Sequence, residues 1–497
     1  MLSTLIWGPI AGAILIAFIG GMLNAQQFRR ISLGIAITTF GISLLVLTKF
    51  DMGYASMQMQ EVLPWLDQIG LSYRLGIDGL ALPLVLLNGF LLIIAIYISN
   101  DVQRPWLYFP LLLVLGGGVN GAFLSQNLLL FFLFFEVELI PLYLLIAIWG
   151  GERRGYAATK FLIYTAIAGI LILAAFFGMA AFGSSNAGSI TFNYQDLDLS
   201  AVAKSTKSIL LIMLLLGFGI KIPIVPLHTW LPDAHVEAST PISTILAGVL
   251  LKLGTYGLLR FGLGLLPDAW QAIAPILAVW AAVSVIYGCL NAINQTDMKK
   301  MVAYSSVGHM GYILLALASA TPLSLLGATF QMVSHGLISA LLFILVGIVY
   351  KKTGTRDLNS LNGLFNPERG LPVTGSLMIL AAMASAGTPG MVGFIAEFVI
   401  FRSSFAVFPV QTLVCMIGTG LTAVYFLIML DRVFFGRLAV EKAGNPAINN
   451  FPFAKWQEKL PAIALALVIV FFGLVPNFAT QIIEASAMAI APSITGA

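Results

Sequence analysis

Charge is scarce in this chain: Asp, Glu, Lys and Arg make up 9% of its 497 residues, while hydrophobic residues make up 59%. A soluble domain carries about a quarter charged residues. No soluble fold of this length has interior enough to hide so much apolar side chain. A water-soluble globule is therefore excluded, and the bilayer is the solvent. Cysteine is nearly missing as well. Cys289 and Cys415 lie within apolar runs and form no CxxC, so they read as small core residues and not as a disulfide or cluster site. No GxGxxG follows a strand-like segment, so the chain offers no nucleotide site of that kind. The net charge of +4 is too small to suggest a nucleic-acid partner. The first apolar run starts directly after Met1, without a basic stretch or a small-residue cleavage site, and reads as a retained span.

What is present is a series of long apolar runs, each close to the roughly 20 residues that one crossing needs. Charged or Pro/Gly-rich breaks divide them at 2–23, 31–48, 79–99, 106–124, 127–149, 160–182, 207–226, 240–263, 269–294, 301–319, 323–350, 372–404, 411–431 and 460–478. The pattern predicts an all-α polytopic membrane protein of about fourteen transmembrane helices, with the tail 479–497 unassigned. Loops then fall alternately on two sides. Seventeen Lys and Arg lie on one side, against Lys49, Arg74, Lys204, Lys207 and Arg402 on the other. Positive residues collect on the cytoplasmic side, which puts both ends of the chain on the opposite face. Two loops are long: 49–78 on the outer face and 351–371 on the inner. Either is a solvated connector or a docking surface for a neighbouring subunit.

Two spans are interrupted. The seventh reads GFGIKIPIVPLHTWLPDAH, with Pro223, Pro226 and Pro232, and the twelfth reads ASAGTPGMVGFIAEF, with Gly387, Pro389, Gly390 and Gly393. Proline removes a donor and clashes with the preceding turn, so each should open into two half-helices. The freed backbone must face protein or water. Matched breaks in two halves are the mark of transporter folds with a working site near the midplane. The breaks lie in the fourth span of each of two five-span blocks, 106–263 and 269–431. An odd number of spans makes consecutive blocks inverted repeats. A three-helix segment, 1–105, precedes them, and a C-terminal helix and tail, 432–497, follow.

Charges inside spans are few: Glu136, Glu138, Lys221, Lys252, Arg260 and Glu397, with His228, His235, His309 and His335 beside or among them. Each ionised group at mid-bilayer costs about 2.5–3.5 kcal/mol on the lenient insertion scale, so these groups should pair, neutralise or line a hydrated path. Burial disfavours the charged form of acid and base alike and brings both toward proton exchange, and histidine bridges such stations. The set reads as a proton relay. Glu136 and Glu138 are two apart on a helix and cannot face the same partner. Glu136 is the one expected to face inward, with Glu138 against a neighbouring helix or subunit. Lys252 could share its proton with Tyr256 one turn later. His228, Asp233 and His235 lie at the inner mouth of span seven, either as an entrance funnel or as a capped turn. Arg260 lies near a helix end, where it can snorkel, and reads as structural. Without thiols, His228, Asp233 and His235 are a poor metal set.

The stretches FFEVELIPLYLLIAIWGG, KIPIVPLHTWLPDAHVEASTPISTILAGVLLKLGTYGLLRF, NQTDMKKMVAYSSVGHMGY and QMVSHGLISALLFILVG resemble the antiporter-like subunits of respiratory complex I and its photosynthetic relatives. The likeness runs over nearly the whole chain. It is strongest to the chain-4 type (NuoM, or NdhD in cyanobacteria and chloroplasts), which carries a carboxylate where Glu397 stands, and the EVELIP pair is similar to the cyanobacterial and plastid version. The resemblance implies one proton-translocation unit in this chain. Glu136 would pair with Lys221, Lys252 would connect the halves, His309 and His335 would relay, and Glu397 would be the last station toward the outer face. Lys299 also matches a family position. It further implies a thylakoid complex passing electrons from ferredoxin or NAD(P)H to plastoquinone, with iron–sulfur clusters in partner subunits and no cofactor or metal in this chain. The partners implied are the other membrane subunits, further antiporter-like ones included. The wording HVEASTPIS is similar to the variants that serve carbon dioxide uptake.

Two other readings stay open. An Mrp-type sodium/proton antiporter subunit shares the lysines and the broken helix. A structural membrane module would brace a redox arm without moving protons.

Overall fold

The computed structural model describes residues 1–184, 190–440 and 453–491. Lys442, which entered the charge tally, lies outside the described residues. Eleven helices among those described are long and apolar enough to cross a membrane. Where the other three spans are expected, the chain forms shorter or more charged helices: Leu2–Phe18, Lys204–Lys221, and the pair Pro372–Ser385 and Val392–Phe405.

Helix ends are written in the sequence. Pro105, Pro267, Pro322, Pro372 and Pro409 each open a helix, where proline has no donor to waste. The side chains of Asn127 and Asp297 accept from the backbone of the first turn of Leu128–Val137 and Met298–Ser319. Gly354, at φ +74°, closes Pro322–Thr353.

Burial sorts these helices into centre and rim. Thr240–Leu263 is wholly enclosed, and Met298–Ser319 and Pro322–Thr353 nearly so, whereas most residues of Ala25–Lys49 and Trp456–Leu474 are exposed or only partly buried. The exposed surface is apolar: Phe18, Ile170, Ile276 and Leu467 are all exposed. Large uncovered hydrophobics all around a bundle face acyl chains, not water. The enclosed helices are the ones that carry Lys252, His309 and His335.

Three features depart from expectation. The loop 49–78 carries a hairpin, a small addition to an otherwise helical chain. Gln58–Leu66 pairs antiparallel with Leu71–Ile77, turning at Gly70, whose φ of +72° suits glycine. This hairpin covers one end of the bundle through bridges Leu75 to Ser125 and a bond from Phe192 N to Gly70 O. Second, the tail forms a further helix, Asn477–Ile490, whose Ser486 accepts from Gly79 N at the same end. Third, Leu361–Asn362 of the second long loop pairs with Ala439–Val440. Leu2 and Ser3 also lie at the hairpin end, where their backbone donates to Glu61.

Candidate functional site

Both expected breaks are present. Helix Lys204–Lys221 ends at Lys221, the chain runs irregularly to Thr229, and helix Trp230–Glu237 resumes. Helix Pro372–Ser385 gives way to Val392–Phe405 across a turn with Gly387 and Gly390 at positive φ. Opened backbone finds side-chain partners: Trp230 Nε1 donates to Ile220 O at 2.8 Å, and Ser385 O faces His309 Nε2 at 3.2 Å.

At the first break, the ammonium of Lys221 is ion-paired with Glu138. Both are buried. Glu138 stands where Leu128–Val137 hands over to Leu139–Trp149. The rings of Phe135 and Phe161 lie 5.1 and 5.8 Å from Lys221 Nζ, adding cation–π attraction in a site shut off from water.

The second cluster forms a row. Lys252 Nζ donates to Ala247 O at 2.5 Å and lies 2.8 Å from His335 Nδ1. Ala247 belongs to a π turn, Leu246–Leu250, and such widened turns free backbone acceptors at functional sites. The rings of His335 and His309 are 5.5 Å apart. His309 Nδ1 is 2.8 Å from Ser305 O, and its Nε2 is 3.7 Å from Glu397 Oε1. Glu397 Oε2 accepts from Thr419 at 3.0 Å, and Thr419 also reaches Tyr312 at 3.3 Å. All four ionisable groups are buried.

On the other side of Lys252, toward the end away from the hairpin, lies His235. It is fully buried and stacked on Phe343 at 4.5 Å, with no hydrogen-bond partner on either ring nitrogen among the described residues. It sits within electrostatic reach of both Lys252 and Lys299. The buried ammonium of Lys299 donates to Ala238 O. Lys299 lines a cavity of about 600 Å³ with Glu237, Ser239, Tyr350 and Arg356.

Chemically, this is a row of groups that can each hold or release a proton. An ammonium facing Nδ1 of His335 makes that nitrogen an acceptor; a neutral amine reverses the bond. His309 has acceptors at both nitrogens, and a neutral ring donates at only one of them. The proton therefore has two places to sit, one of them facing Glu397.

Residues 125–422 match the family model described as "NADH:quinone oxidoreductase/Mrp antiporter, TM". The chain belongs to this family. It is 41% identical to "NAD(P)H-quinone oxidoreductase chain 4 2" of Thermosynechococcus vestitus, over 95% of this chain and 89% of that protein. Among solved structures it is similar to a chain of respiratory complex I from Thermus thermophilus with bound NADH, at TM-score 0.88 and 25% identity with full coverage of both. A chain of the Mrp complex from Dietzia sp. shares the fold at TM-score 0.87 and 20% identity, covering 99% of this chain and 98% of that one.

Within this family fold, several expectations need correcting. Lys221 pairs with Glu138, not Glu136. The carboxylate of Glu136, only half-buried, packs instead against Gly169, where an added Cβ would come within 2.3 Å of its Oε1. The helix interruption at residue 138 turns its side chain toward Lys221, which helical spacing alone does not reveal. Tyr256 is not the partner of Lys252: its hydroxyl donates to Phe123 O at 3.0 Å and accepts from Arg260 Nε at 3.3 Å. Arg260 does not snorkel. It is buried and ion-paired with Asp78 at 2.5 Å. Of the three residues placed at the inner mouth, Asp233 pairs with Lys160 at 2.7 Å, while His228 and His235 are buried inside.

Proposed function

We propose that this chain is the proton-translocating membrane subunit of a complex I-type oxidoreductase that passes electrons from ferredoxin or NAD(P)H to plastoquinone. The observation that carries the reading is the buried row Lys252, His335, His309, Glu397, each group beside the next. Quinone, iron–sulfur clusters and the electron donor belong to partner subunits, other antiporter-like ones among them, and this chain moves protons only. Protons enter at the cavity where Glu237 and Lys299 lie, pass His235 to Lys252, and cross through His335 and His309 to Glu397. Release follows Thr419 and Tyr312 toward the hairpin face.

Lys221 and Glu138 form the coupling half. Packing joins them to the row: Gly254 lies against Ile222 and Phe218, so close that a Cβ would meet Ile222 at 2.7 Å. When Glu138 releases Lys221, the ammonium's field raises the free energy of a proton on Lys252 and drives it onward. The fourteen crossings, the two inverted five-helix blocks, a lumenal hairpin face in a thylakoid membrane and service in carbon dioxide uptake complete this reading.

The test is the proton-to-electron ratio of vesicles holding the assembled complex. Lys252→Met should lower it while quinone reduction persists. An unchanged ratio would support a bracing role only. Transport that needs sodium and no quinone turnover would support the Mrp reading instead, which shares this fold.

A further inference from the structure

A second buried polar route leaves Lys252 in the opposite direction along its own helix. Lys252, Tyr256 and Arg260 follow at four-residue spacing, so they lie along one side of Thr240–Leu263. The guanidinium of Arg260 covers the Tyr256 ring at 5.1 Å, and its Nη2 binds Asp78 Oδ2 at 2.5 Å. Tyr194 lies within electrostatic reach of Arg260, Asp78 and Arg74. Arg74 in turn pairs with the partly exposed Asp196 at 3.2 Å. This line leads toward the hairpin face without passing His335, His309 or Glu397.

We propose that the Asp78–Arg260 pair is a fixed-charge seal that closes this line, so that protons on Lys252 must take the histidine route. The inference rests on the relay reading above. A relay station has to hand its proton on, and a guanidinium does not. Guanidinium stays protonated throughout. The Asp78 side chain is fixed at the start of helix Ala81–Ile98, where its Oδ1 accepts from Leu80 N at 3.1 Å and Ala81 N at 3.0 Å and where the helix dipole favours an anion. Arg260 sits in the last turns of its own helix, where the dipole favours a cation. Each charge is held by a helix end as well as by its partner. Tyr256 is committed to Phe123 O and cannot turn toward Lys252 without losing that bond.

Removing the cation turns Asp78 into an unpaired carboxylate that can take up and hand on protons, and opens the line. Removing the anion leaves a lone guanidinium, which repels protons and keeps it shut. The two deletions therefore differ in sign. In vesicles holding the assembled complex, with no electron donor present, Arg260→Gln should raise passive proton leak by roughly tenfold or more, the effect on a carboxyl of losing one neighbouring cation. Asp78→Asn and Arg260→Lys should stay as tight as the parent. Should Arg260→Gln fail to accumulate, Arg260→His supplies a cation that can give up its proton at the same place, and should leak. Assembled Gln or His variants as tight as the parent would overturn the seal, as would equal leak from Asp78→Asn. Leak is read without turnover and pumping with it, so either reading can fail alone.

Discussion

The ammonium of Lys221 rests on the carboxylate of Glu138, both out of reach of water, while Glu136 two residues earlier reaches the half-open face beside Gly169. Deleting one partner of a buried pair strands the other charge and costs about 3–5 kcal/mol. Glu138→Gln should therefore lower both the amount of assembled complex and its proton-to-electron ratio. Glu136→Gln leaves the Lys221–Glu138 pair in place and should stay within roughly 1 kcal/mol of the parent. Thermal stability and pumping measured on both variants check this; equal losses from the two would refute the assignment.

Gly387 holds a second, independent lever on the relay. Its φ is +67°, and an added Cβ would stand 2.9 Å from Glu397 Oε2. Gly387→Ala should cost about 1–3 kcal/mol in backbone strain. It should also push Glu397 off Thr419 and slow proton release. The informative contrast is Gly390→Ala. Gly390 also has positive φ but faces open space, so it should show the strain without the pumping defect.

Sequence marked the buried ionisable residues better than their pairings. Lys221, Lys252 and Glu397 stand out because each interrupts an apolar run, and the two breaks stand out because Pro and Gly cluster there. Pairing depends on contacts that span the chain. Arg260 meets Asp78 across 182 positions, and Glu138 is aimed by a local interruption whose mark, Pro141, shows where the helix breaks but not which partner the side chain then meets. The hairpin escaped because Gln58–Leu66 mixes Glu61 and Pro64 into a run that looks like a polar loop. Its one legible mark was Gly70. Lys299 was visible as a charge beside Lys300, but nothing in spacing showed that one of these lysines is buried at a cavity floor and the other is not.

The cavity route makes a labelling prediction. Val236 is half-buried and lines the cavity that Lys299 floors. The native Cys289 and Cys415 are 1% and 0% exposed, so they give no background with a water-borne thiol reagent. Val236→Cys should pump normally until a charged, membrane-impermeant thiol reagent is added at the cavity face, and then lose proton transfer. Labelling that leaves pumping intact would exclude this mouth as the entrance and leave the buried row untouched.

The sharpest prediction separates charge from proton exchange at Lys252. Its Nζ lies between Ala247 O and His335 Nδ1, and both can be served by any cation. Arginine keeps the charge and the donors but does not release its proton. If Lys252 acts as a fixed countercharge, Lys252→Arg should pump, and only Lys252→Met should fail. If it hands its proton to His335, both should fail alike, slowing the proton-coupled step by roughly 10²–10⁴-fold, the usual loss for a missing positioned acid–base group. The fully buried site has little room for a larger side chain, and overpacking costs about 1–3 kcal/mol, so the rate is compared only among complexes of equal assembly. His335→Asn should then match both, since an amide keeps a polar contact with Lys252 but cannot carry a proton onward to His309. A Lys252→Arg complex that pumps as the parent does would leave the row with a hole at its centre, and the relay would have to be abandoned.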